Sequence, residues 1–235
     1  EYSYFVKADE VNKRMPSNLF LLPGDIDLDI CSKLIAYIGS SPAKGAWRAS
    51  RSLLIDLVDA FETNKDLERR PKTFFIDCNP SFANYTELAV LASNRIIIPC
   101  TADAASIRGI KNLIKLIYGI SVDNKTMEDL NFSNEVENHK FKKPLLHIFV
   151  QNRSRTSERD ATKAFRSHAE EIQRIANDLA DKHRNLFTTD LEHNSRVINV
   201  KDGNTLAAII NHEGCPISKL QHKKYTIYGQ ETQAN

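Results

Sequence analysis

The chain has 235 residues, 41% hydrophobic and 26% charged, with a formal net charge of +2. These are values of an ordinary globular protein, and they exclude a collagen-like or a highly charged disordered chain. So small a net charge also excludes an overall basic field as the route to nucleic acid, leaving local patches to carry any such contact.

Residues 1–16 are polar and mixed, and Ala8-Asp9-Glu10-Val11 opens a short helix. Asn18–Gly24 is a brief apolar run closed by Pro-Gly, which predicts a buried strand and a turn. Ile26, Leu28, Ile30, Leu34, Ile35 and Ile38 predict a helix after a loop. Residues 40–51 read as a linker holding the only tryptophan, Trp47. From Ser52 to Thr63, Leu53, Leu54, Leu57, Val58 and Phe61 repeat at helical spacing.

The run Thr73-Phe74-Phe75-Ile76-Asp77 has no alternation. It suits a strand buried on both faces of a parallel sheet, ending on a carboxylate. In such sheets ligands sit at the carboxyl ends of the strands. Asp77 is therefore read as the place where a ligand or metal is met, the alternative being an aspartate that caps the following segment. Asn84–Ala92 reads as a helix, Arg95–Cys100 as a second strand and residues 101–106 as a loop. Ile107, Ile110, Leu113, Ile114, Ile117 and Tyr118 then mark an amphipathic helix. Residues 121–143 form a long polar stretch with a short helix near Met127–Leu130, and loops of this length are commonly functional or mobile.

Leu145–Val150 is the next buried strand, closed by Gln151-Asn152-Arg153. Asn152 reads either as a turn former or as an amide that hydrogen-bonds a base. His147 is read as a sheet residue, and the seven histidines show no metal-ligand spacing. Residues 157–183 carry the longest helical pattern. Its basic beginning is either a solvated face or a set of phosphate contacts. Leu186–Thr189 reads as a last strand, Arg196–Asp202 as a further segment and Thr205–Asn211 as a helix before a polar tail. Cys31, Cys78, Cys100 and Cys215 form no CxxC pair, so free thiols in a reducing compartment are expected. No apolar run is long enough to span a bilayer, and Glu1-Tyr2-Ser3-Tyr4 does not read as a signal peptide.

Four pieces recur in a fixed order: Ile76-Asp77-Cys78-Asn79-Pro80-Ser81, Glu87-Leu88-Ala89-Val90-Leu91-Ala92, Ile97-Ile98-Pro99 and Ser106-Ile107-Arg108-Gly109. Together they resemble the ParA/MinD family of deviant P-loop ATPases, more closely its ParA-type partition members. Asn79 stands where that family has the first of two prolines. The resemblance runs from Leu19 to Ile217, where Gly214-Cys215-Pro216-Ile217 is similar to the family's Gly-x-Pro-Ile. It implies an α/β fold with a mostly parallel sheet and helices on both faces. It also implies an N-terminal segment 1–16, an ATPase domain 17–218 and a tail 219–235. ATP and Mg²⁺ are the implied cofactors. Asp77 is the implied catalytic carboxylate and holds Mg²⁺ through water. Pro80, Asn152, Arg153, Val200, Lys201 and Asp202 are the implied nucleotide-binding residues. Arg155, Arg159, Lys163 and Arg166 are the implied DNA contacts. The implied partners are a second copy in an ATP-bridged homodimer, non-specific DNA and a ParB-like or cargo-adaptor protein that stimulates hydrolysis. The implied role is to position or segregate plasmid or chromosomal DNA, or another cargo, in the cytoplasm at the nucleoid. The tail lacks a basic amphipathic helix, so no membrane partner is expected.

The chain contains no Gly-x-x-x-x-Gly-Lys-Ser/Thr. The nearest stretch, Gly39-Ser40-Ser41-Pro42-Ala43-Lys44-Gly45, has the wrong spacing and no hydroxyl residue after its lysine. It cannot surround phosphates as a P-loop does, with successive backbone N–H groups and a lysine. In the resembled family the P-loop precedes everything described above. The expectation is therefore that these residues lack the first strand, P-loop and first helix, and that alone they bind ATP poorly. The alternative is a non-catalytic binding or scaffold module.

Overall fold

The computed structural model describes residues 4–64, 71–78, 83–121, 131–154, 163–189, 191, 196–201, 203 and 205–233. The chain divides into two compact units, residues 29–201 and residues 1–28 with 202–235.

The larger unit is built on a three-stranded parallel sheet. Its strands are β3 (Arg95–Cys100), β4 (Leu145–Ser154) and β5 (Val197–Lys201), with β4 in the centre. Apolar runs supply β3 and β4, as expected of strands covered by helices. Ile98, Phe149 and Val197 stand side by side across the sheet, and Cys100, Gln151 and Asn199 form the row two residues on, on the same face. The flanking helices are α2 (Leu28–Gly39), α3 (Ala46–Glu62), α4 (Asn84–Ala92), α5 (Ala104–Tyr118), α6 (Asn131–Asn138) and α7 (Lys163–Lys182). Ile110, Ile114 and Ile117 of α5 and Ile172, Ile175 and Ala176 of α7 join Leu146 and Phe149 in one core. The expected α/β fold with a parallel sheet and flanking helices is thus present.

Several local expectations are corrected. Residues 71–78 carry no regular secondary structure, and Phe75 in their middle is 85% exposed. The segment has strand composition, but no neighbouring strand among the described residues supplies its ladder. Phe74 anchors it, edge-on to Phe61 of α3 at 5.7 Å, and Lys72 donates to the Glu62 carbonyl at 3.1 Å. The expected linker over 40–51 is shorter, because α3 already begins at Ala46. Gly45 precedes it at φ 84°, a left-handed conformation that glycine adopts without penalty. The expected last strand over 186–189 is a 3₁₀ turn, Arg184–Leu186, followed by a single parallel bridge from Phe187 to Leu146. Helix α7 is described over Lys163–Lys182, and the preceding residues 157–162 of the expected helix, like the expected helix near Met127–Leu130, fall outside the described residues.

A partly buried ion pair ties the helices that lead into β3. Arg51 of α3 is 7% exposed, and its Nε donates to Glu87 of α4 at 2.7 Å. The same guanidinium donates to Asn84 Oδ1 at 3.2 Å and to the Ile35 carbonyl at 3.4 Å. Asn84 in turn donates to Ser32 on α2. Beside this network lies an open cleft of about 820 Å³, with Trp47, Arg51, Glu87, Phe132 and His139 among its walls. Trp47 stacks on His139 at 4.7 Å there.

The smaller unit holds β1 (Val6–Lys7), α1 (Ala8–Val11), β2 (Phe20–Leu21), α8 (Thr205–Glu213), β6 (Lys224–Ile227) and β7 (Gln230–Gln233). The expected buried strand over Asn18–Leu22 is only the two residues of β2. It pairs antiparallel with β1, and Leu21 faces solvent. The tail is not merely polar: β6 and β7 form an antiparallel hairpin through Tyr228 and Gly229, both at positive φ. Two successive positive-φ residues make the tight turn that suits twisted strands. Tyr225 of β6 packs on the fully buried Ile209 of α8.

Candidate nucleotide site

The carboxyl ends of β3, β4 and β5 lie together because the strands are parallel and paired in register. After β3 the chain closes tightly. Asp103 caps α5, its Oδ1 accepting the Ser106 N–H at 2.7 Å. The Thr101 hydroxyl bonds the other oxygen of Asp103, and the Thr101 N–H donates to Ser106 Oγ at 3.1 Å. The Thr101 hydroxyl, then the Ser106 N–H, hold the Asp103 carboxyl below its ordinary value. Cys100 faces the core, and burial, aided by the Asp103 charge, pushes its thiol up to about 11. It is an inert thiol, not a nucleophile.

At the end of β4 the register shifts. Gln151 pairs with Asn199, but the next pair is Ser154 with Lys201. Asn152 and Arg153 therefore share the space opposite Val200, as a bulge. Bulges re-aim side chains and recur beside binding sites. The structure thus brings together Asn152, Arg153, Val200 and Lys201, four of the six residues expected at the nucleotide. Arg153 is placed by its backbone, whereas Asn152, Val200 and Lys201 have exposed side chains. Asp202 and Pro80 lie outside the described residues, as do Arg155 and Arg159. Lys163 is the first described residue of α7, and Arg166 in the same helix is exposed. Asp77 is exposed at the end of the irregular segment 71–78 and not at the end of a paired strand. Burial, then the Asp77 charge, raises the adjoining Cys78 thiol.

Two features escaped the sequence reading. Thr101 and Asp103 had a signal, since an aspartate three residues before a serine opens an amphipathic run. Gln151 had none, because its interest comes from burial and from the strands beside it.

The strand ends fit the base of a nucleotide. A buried carboxamide and an exposed bulge with Asn152 offer both donors and acceptors. A lone exposed carboxylate such as Asp77 suits Mg²⁺, which commonly keeps its waters and takes only one or two carboxylates. Among the described residues no group of three or more His, Cys, Asp or Glu is placed to hold a metal. No helix among them is long and apolar enough to cross a membrane.

A family model described as an AAA domain matches residues 5–132, more than half of the chain. No curated protein and no solved structure matches the chain significantly. The matched span holds the segment that ends at Asp77, the α4–β3 unit and the capped helix α5. The chain belongs to this AAA-domain family of ParA/MinD-like P-loop ATPases.

Proposed function

We propose that the protein is a ParA-type ATPase that positions or segregates DNA or another cargo. The observation that carries this reading is the meeting of Asn152, Arg153, Val200 and Lys201 at one bulge, at the carboxyl ends of parallel strands. Ligands of open α/β sheets bind at that end. Asn152, Arg153, Val200, Lys201, Asp202 and Pro80 would meet ATP, and Asp77 would hold Mg²⁺ through water. Bound ATP supplies the phosphoryl group whose hydrolysis drives the cycle. The chain's own residues orient the base, place the metal and order the loops around them.

In this reading ATP bridges two copies into a homodimer. The dimer contacts DNA phosphates through Arg155, Arg159, Lys163 and Arg166, and a ParB-like or cargo-adaptor protein stimulates hydrolysis. The protein then works in the cytoplasm, at the nucleoid. The absence of Gly-x-x-x-x-Gly-Lys-Ser/Thr from these residues favours one other reading, a binding module without catalysis.

The test uses protein expressed from the complete open reading frame. Light scattering after gel filtration should show a dimer with Mg-ATP and a monomer without it. Asp77→Ala should keep the circular dichroism spectrum and lose the dimer. A D77A variant that dimerises and hydrolyses ATP normally refutes the role of Asp77. Wild-type protein that binds Mg-ATP without hydrolysing it, with or without DNA, points to the module.

A further inference from the structure

The open cleft of about 820 Å³ beside α3 combines an apolar surface with a rim of unneutralised cations. Trp47, Leu116 and Phe132 supply the apolar surface. The two carboxylates in its walls already have partners. Glu87 meets Arg51 at 2.7 Å, and Glu135 meets His139 Nε2 at 3.2 Å. The cations around the cleft do not. Lys44 lines it and is exposed. Arg48, also exposed, lies over the Phe141 ring at 4.6 Å and donates to the His139 carbonyl. Lys140 is exposed next to His139. None of these three is paired with a carboxylate among the described residues.

Lys140 also holds a costly conformation. It follows α6 at φ 58°, where its N–H donates to the Glu137 carbonyl at 3.0 Å and the Phe141 N–H donates to the Val136 carbonyl at 2.9 Å. Glycine is the usual residue at such a helix end, because a side chain is strained there. Stability alone would place glycine here, not lysine. Strained residues of this kind collect at binding sites.

We propose that this cleft docks an acidic segment of a partner protein. An apolar side chain of the segment sits on Trp47, Leu116 and Phe132, and the carboxylates flanking it meet Lys44, Arg48 and Lys140. Interfaces draw most of their affinity from a few anchors in a pocket, while charges at the rim steer the encounter and select the partner. Glu87 and Glu135 count against nucleic acid, because a phosphate backbone laid over the cleft would meet both carboxylates. The cleft shares no residue with the bulge at Asn152, so the proposal stands whether or not a nucleotide binds there.

The test pans a random peptide library, displayed on phage, against protein from the complete open reading frame. Protein carrying Ala43→Phe serves as counter-selection. Ala43 is exposed and lines the cleft, so phenylalanine obstructs the cleft without entering the core. Enriched peptides should carry glutamate or aspartate around an aliphatic or aromatic residue. One of them, synthesised with leucine or phenylalanine as its anchor, should shift the emission of Trp47, the only tryptophan. Its binding should weaken as salt rises. Lys44→Glu combined with Lys140→Glu should weaken it about tenfold or more. Lys140→Gly should weaken it without lowering the melting temperature, which separates the charge from a structural role. Enrichment of basic or wholly apolar peptides overturns the proposal, as does no enrichment over the A43F protein. So does an oligodeoxythymidine that displaces the peptide from wild-type protein, since the cleft would then be a nucleic-acid site.

Discussion

Asp103 shows how much one side chain settles at the end of a strand. Its carboxylate ends the turn after β3 and starts α5 by accepting the Ser106 N–H. Replacing a capping aspartate by alanine costs about 1 kcal/mol, while asparagine caps nearly as well. Asp103→Ala should therefore lower stability in urea titrations by about that amount, and Asp103→Asn should restore most of it. The acid dependence follows from the direction of the shift. The carboxyl is held below its ordinary value of 3.8, so the native state binds this proton less readily than the unfolded one. Its stabilisation is present above pH 3.8 and is lost as the pH falls through the native value. Urea titrations between pH 5 and pH 2 should show a loss in wild type that D103A lacks. Cys100 runs the other way. Its thiol is raised from 9.0 to about 11, so stability should decline as the pH rises through that interval. At pH 8, iodoacetamide should label exposed Cys31 first, while Cys100 reacts only after unfolding, as peptide mass spectrometry would show.

Elements were legible where their pattern is local. The spacing of Ile107, Ile110, Ile114 and Ile117 foretold α5, and the unbroken apolar runs foretold β3 and β4. The segment Thr73–Asp77 has equal strand character but no partner in register, and a strand exists only with one. Trp47 to Arg51 read as linker because residues 40–51 are rich in Ser, Pro and Gly and the apolar spacing of the helix begins only at Leu53. Only the folded chain shows that Arg51 turns inward to Glu87, thirty-six residues away. The bulge was illegible for the same reason, since it is a property of two strands. Arg51 and Glu87 join α3 to α4, and removing one partner of a buried pair strands a charge. That costs about 3–5 kcal/mol, whereas replacing both by apolar residues of similar size is often neutral. Glu87→Ala should thus destabilise strongly. The double change of Arg51 to Met and Glu87 to Met should recover most of the loss in thermal melts. Equal losses in the single and double variants would mean that the pair holds α4 by hydrogen bonding to Asn84 and Ile35, and not by charge.

At the scale of the molecule, the sheet is unevenly covered. Parallel sheets ordinarily bury both faces. Here Ile98, Cys100, Leu146 and Phe149 are buried, while Ile97, Ile198 and Val200 on alternate positions are 42–46% exposed. The register makes the exposed set continuous, because Pro99 stands beside Val150 and Val150 beside Ile198. A β-branched surface of this kind stays in water at a cost, and it attracts apolar probes. The net charge of +2 gives little repulsion between copies to offset that attraction. Anilinonaphthalene sulfonate should therefore fluoresce with the native protein at neutral pH, without any loss of near-ultraviolet dichroism. Lysine at positions 97 and 198 should remove most of that signal and leave the melting temperature nearly unchanged, because neither side chain belongs to the core. If the dye binds equally well after both replacements, its site lies elsewhere, and the cleft beside Trp47 becomes the place to test. Quenching of that single tryptophan on dye binding would separate the two sites, since Trp47 lines the cleft and the replaced sheet positions do not.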